Sequence, residues 1–210
     1  MIDFSYNERL VGYMTLESYS DITETQYDAL RELGSIGSGN ASTALSNLLD
    51  RKVSMAIPKV MMVELSKLSD LIGGPEEPIV GILVTLEGSI KGMMMFAMTQ
   101  ASARRLANLV IGEDTESMHF ADMDKSALKE IGNIIAGSYL NALSQMTNLT
   151  LTPSVPYLSV DMAASILSVP AIQFGMVSDK ALLIKTDIDG YFIMIPDLQS
   201  YEKIIDKLGI

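Results

Sequence analysis

In the stretch Ser126-Ala-Leu-Lys-Glu130-Ile-Gly132-Asn133, a carboxylate and an amide stand three residues apart, with a hydroxyl four residues before the carboxylate. On a helix, spacings of three and four put side chains on one face about a turn apart. Ser126, Glu130 and Asn133 would then line a polar stripe, while Leu128, Ile131, Ile134 and Ile135 point in other directions. A plain solvated helix face gives the same pattern, so the stripe alone decides little. Its repetition weighs against the plain reading. The chain reads Asp28-Ala-Leu-Arg-Glu32-Leu-Gly34-Ser35 98 residues earlier, and nine of the nineteen residues from 28 to 46 match those from 126 to 144. The register persists further, with Pro58 answering Pro156 and Gly92 answering Gly190.

A repeat at a fixed offset constrains architecture before any single motif does. This period is too long for a solenoid, and it indicates a duplicated half-domain. A helix is predicted from Asp21 or Thr23 to Leu49, and its counterpart from Asp122 or Asp124 to Thr147. Gly34, Gly37 and Gly39 each weaken the first helix by up to ~1 kcal/mol relative to alanine, which calls for close approach of a neighbouring element. Each helix precedes a β-rich stretch broken by proline, at 53–65 and 150–160. Apolar hairpins follow, at 79–98 and 181–195, and then short helices at 100–111 and 198–208. The predicted fold is α+β: a pseudo-twofold domain with a mostly antiparallel sheet flanked by two long helices. It spans 22–210, with repeats at about 22–112 and 120–210, an acidic linker at 112–118 and an extension at 1–21.

Composition narrows the chemistry. A net charge of −11 argues against a nucleic-acid backbone or an anionic membrane as the main partner. The absence of cysteine removes disulfides and thiol catalysis, and agrees with a cytoplasmic protein. No apolar run approaches the roughly 20 residues that span a bilayer. The single histidine, His119, falls on the linker surface. Gly34-Ser-Ile-Gly37-Ser-Gly39 lacks the lysine of a phosphate-binding loop and lies within helical periodicity, so it is not read as a nucleotide site. Met93-Met94-Met95 alternates within a strand and belongs to the core.

Ser126, Glu130, Asn133 and Pro156 also carry a resemblance. The chain resembles the CheC/CheX/FliY family of chemotaxis phosphatases, whose signature is Asp or Ser, three residues, Glu, two residues, Asn, twenty-two residues, Pro. The second half satisfies every position. The first half supplies Asp28, Glu32 and Pro58, but Ser35 stands where the signature has asparagine. Two copies set the chain apart from the CheX type, and ending at Ile210 without an appended switch domain sets it apart from FliY.

The resemblance implies hydrolysis of the aspartyl phosphate on the chemotaxis regulator CheY. An acyl phosphate is already activated, and the regulator brings its own Mg2+ and lysine, so no cofactor or metal is expected on this chain. The enzyme need only place a water in line. An amide suits that role because its oxygen and nitrogen can both bond the water without adding charge. By the resemblance, Asn133 holds the water and Glu130 pairs with the regulator's lysine. Ser35 is too short to do the same, so Glu32 and Ser35 form a degenerate first site. Asp161 matches a position that docks the receptor deamidase CheD, although a helix N-cap is an equal reading. An adaptor for CheD is the alternative function, and a structural part of the flagellar switch a third.

Overall fold

Two 26-residue helices, α1 (Glu24–Leu49) and α4 (Asp122–Thr147), occupy equivalent places in the repeat. Thr23 caps α1: its hydroxyl accepts from the Gln26 N–H at 3.2 Å, and the Gln26 side chain accepts from the Thr23 N–H at 3.0 Å. The second long helix runs from Asp122 to Thr147, as expected. Ala121 holds the N-cap position, and the Asp124 carboxylate reaches back to its N–H at 2.8 Å. Both helices end on a left-handed residue, Asp50 and Asn148, types whose short polar side chains tolerate that conformation.

The computed structural model describes residues 23–53, 59–174, 180–186 and 190–208. After α1 come β1 (Lys59–Glu64), the short α2 (Leu68–Leu71), β2 (Pro78–Gly88), β3 (Gly92–Thr99) and α3 (Gln100–Ile111). After α4 come β4 (Leu151–Pro153), β5 (Tyr157–Met162), α5 (Ala163–Phe174), β6 (Lys180–Thr186), β7 (Gly190–Pro196) and α6 (Leu198–Lys207). The second β-rich stretch is therefore two strands, parted at Ser154–Pro156.

All seven strands form one antiparallel sheet, ordered β1-β6-β7-β3-β2, with β4 and β5 paired along the remaining side of β2. Met95 of β3 lies opposite Ile193 of β7, and these residues are themselves repeat equivalents. The pseudo-twofold axis thus passes through the sheet between them. The outer strands are exchanged: β1 of the first half pairs with β6 of the second, while β5 of the second pairs with β2 of the first.

Burial follows the alternation of the strands. Met94, Phe96 and Met98 face a core shared by α1, α4, α3 and α6, whereas Met95 and Ala97 face one built with α2 and α5. The methionine run is core, as its pattern indicates. Both long helices lie on the same face of the sheet and pack against each other. Gly37 gives room for the Tyr139 ring, which a Cβ at that position would strike, and Tyr139 stacks on Phe192 with centroids 4.3 Å apart. Burial pushes the Tyr139 hydroxyl well above its ordinary pKa. The close approach expected of the glycines holds for Gly37 but not for Gly39, where a Cβ would find nothing within 4 Å.

Candidate active site

The outer face of α4 presents the polar stripe. Ser126, Glu130 and Asn133 are exposed, while Leu128, Ile131 and Ile135 on the opposite side are buried. Gly132 fixes this rotation. A Cβ there would come within 2.5 Å of the Ile82 Cγ2 atom, so α4 lies close against β2 only because the position is bare. Gly132→Ala should cost about 1–3 kcal/mol by overpacking. Gly39→Ala, in open space within a helix, should instead stabilise by up to ~1 kcal/mol. Urea melts of the two variants check this pair, and equal effects would remove the packing role of Gly132.

The first turn of α4 is held from α3. The Arg104 guanidinium donates to Asp124 Oδ1 at 2.7 Å and to the His119 carbonyl at 2.7 Å, and lies 4.5 Å from the centre of the Phe120 ring. Arg104 is only 3% exposed and Asp124 7%. Burial pushes the Asp124 carboxyl up, but the Arg104 hydrogen bond, the Ala121 N–H and the nearby positive charge outweigh it and hold it below the ordinary value of 3.8. Sequence reasoning missed this pair. The available signal was Arg104 directly beside the Ala103, Leu106 and Ala107 face of an amphipathic helix.

Among the described residues, the side chains of Ser126, Glu130 and Asn133 make no hydrogen bond and no ion pair. A carboxylate and an amide one turn apart therefore face solvent with their bonding capacity unused. The first half presents the same layout: Asp28, Glu32 and Ser35 are all exposed on α1. Pro156 is half-buried in the break between β4 and β5. Pro58 lies outside the described residues.

Asp161 is the penultimate residue of β5, two positions before α5. Its carboxylate accepts from the Met162 N–H at 2.7 Å and from the Ser165 hydroxyl at 3.1 Å. It thus steadies the strand-to-helix junction, one place before an N-cap. Among the described residues, no group of three or more His, Cys, Asp or Glu is gathered to hold a metal, and no helix is long and apolar enough to cross a membrane.

Comparison with known proteins adds to this geometry. The CheC-like family model matches residues 26–62 and again 123–160, so each match covers most of one long helix and reaches into the strands after it. The CheY-P phosphatase CheC of Bacillus subtilis is 36% identical over 203 residues, covering 91% of this chain and 97% of that protein. The chain belongs to the CheC-like family. Another relative, the flagellar motor switch phosphatase FliY of B. subtilis, is 32% identical over 65% of this chain but only 36% of its own length. Among solved structures, Thermotoga maritima FliY superposes with a TM-score of 0.68 at 19% identity, covering 90% of this chain and 98% of that one. FliM from a Helicobacter pylori complex gives 0.62 at 13% identity, covering 90% and 96%. At such identities these two speak for the fold alone. The same fold thus occurs in FliY and in FliM, and what this chain does has to be argued from the stripe on α4.

Proposed function

We propose that this CheC-like protein is a phosphatase for the aspartyl phosphate of CheY, with its competent site on α4. The observation that carries the reading is the Asn133 amide one turn from the Glu130 carboxylate, neither with a partner among the described residues, on the exposed face of a helix braced from behind. Glu130 pairs with a cation beside the phosphoryl group of the docked regulator. Asn133 holds a water in line with phosphorus. The water oxygen bonds to phosphorus as the bond to the aspartyl oxygen breaks. The aspartate leaves as a carboxylate with the electron pair, and the water's protons pass to the phosphate and to solvent. Magnesium belongs to the regulator in this reading, which keeps the chain free of any cofactor of its own. A cytoplasmic location goes with this reading. Decay of phosphorylated CheY with and without the protein is the direct test, and an unchanged decay rate would end the reading.

The two halves should prove unequal. Ser35 keeps the place of Asn133 but falls short of its reach, so Glu32→Ala should leave turnover nearly intact while Glu130→Ala removes most of it. In an Asn133→Ala background, adding Ser35→Asn should restore measurable hydrolysis. High activity from the native first half in that background would show serine to be sufficient.

A second reading gives the Asp161 surface to CheD. The exposure of Tyr157 (66%) and Met162 (51%) along the same outer strand favours it, since an apolar edge with an acidic residue can receive a partner. That role is compatible with phosphatase activity on α4.

A further inference from the structure

Lys129 stands beside Glu130 on α4, is exposed, and makes no ion pair among the described residues. Counting about 100° per residue around a helix, it falls about 40° to one side of Asn133, and Glu130 about 60° to the other. The amide is thus flanked by a cation and an anion. The two charges do not cancel, because neighbours in sequence do not face each other on a helix. Lys125 lies a further turn back, so the only two cations of α4 are both found in the turns just before Asn133. Like charges four residues apart oppose the helix, and the arrangement is relieved when an anion arrives.

The first half sharpens the point. Arg31 occupies the position of Lys129, but Asp28 stands three residues before it, where a carboxylate tempers the cation. In the second half that place is Ser126, which carries no charge. The half with the amide is therefore also the half whose cation has no carboxylate one turn before it. An anionic phosphoryl group meets a chain of net charge −11, so its approach needs a positive charge at the point of contact.

We infer that Lys129 is a further catalytic residue: its ammonium bonds the phosphoryl oxygens of the docked aspartyl phosphate as phosphorus passes from the aspartyl oxygen to the water. This rests on the phosphatase reading above. The charge on those oxygens shifts during the in-line displacement, and a cation placed against them lowers the barrier rather than only tightening the encounter.

The test is steady-state hydrolysis of phosphorylated CheY by the full-length protein and its Lys129→Met, Lys129→Arg and Lys129→Glu variants, with thermal melts alongside. Methionine should lower kcat by about 10²-fold, in the range for losing one transition-state donor. Glutamate should lower it further, arginine should recover most of it, and none of the melts should show a loss of stability. A methionine variant with wild-type kcat, or one raised only in KM, would overturn the inference, as would methionine and arginine behaving alike. Failure of the phosphatase reading itself looks different, because the wild-type protein would then leave CheY phosphorylated. Normal turnover that depends on Asn133 but not on Lys129 would remove this residue alone.

Discussion

Replacing Asn133 with alanine is expected to slow hydrolysis of phosphorylated CheY by about 10²–10³-fold, the usual loss when one group directed at the transition state is removed. The fold should not register the change. Asn133 is exposed, its side chain makes no hydrogen bond among the described residues, and alanine favours a helix interior. The effect should fall on kcat with little change in KM, because Glu130 remains to dock the regulator. Single-turnover decay of labelled phospho-CheY separates the two quantities. Wild-type decay would remove the amide from the mechanism, whereas a rise in KM alone would make it a docking residue.

The largest effect on stability is expected at Asp124. Asp124→Ala leaves the Arg104 guanidinium buried without its carboxylate, and breaking a buried pair from one side costs about 3–5 kcal/mol. The pH dependence has a definite sign. The carboxyl is held below its ordinary 3.8 in the folded protein, so its contribution is complete above that value. It drains away as pH falls from about 4 through the lowered folded value, where folded and unfolded chains bind the proton alike. Urea melts of wild type and Asp124→Asn should therefore differ most at neutral pH and converge in acid. A gap that stays constant down to pH 3 would mean that the carboxylate charge contributes nothing.

The helices and hairpins were legible in the sequence because local rules set them. Capping at Thr23, the apolar runs of β2 and β3, and the glycine that opens each inner strand all point one way. What covers the second face of the sheet was not. The sequence of α5 carries Pro170 and a nearly unbroken apolar run, Ile166-Leu-Ser-Val-Pro-Ala-Ile172, which reads as readily as a strand. The single turn of α2 is too short to leave a period. In the site, repetition exposed Glu130 and Asn133, since each has a counterpart to be measured against. Arg104 and Asp124 have no such marker. Their pairing spans two elements, and an arginine beside an apolar helix face does not reveal which carboxylate it meets until its neighbour in space is known.

The exchange of outer strands has a bearing on how the two half-sites came to differ. Each half completes its sheet only with a strand from the other, so an unfused half would have to pair with a second copy of itself. In such a pair one gene encodes both surfaces, and an amide lost from one site is lost from both. Once the halves share a single polypeptide, the sheet still demands matched strands, but each exposed helix face drifts under its own selection. Ser35 and Asn133 differ at a place that no strand pairing constrains.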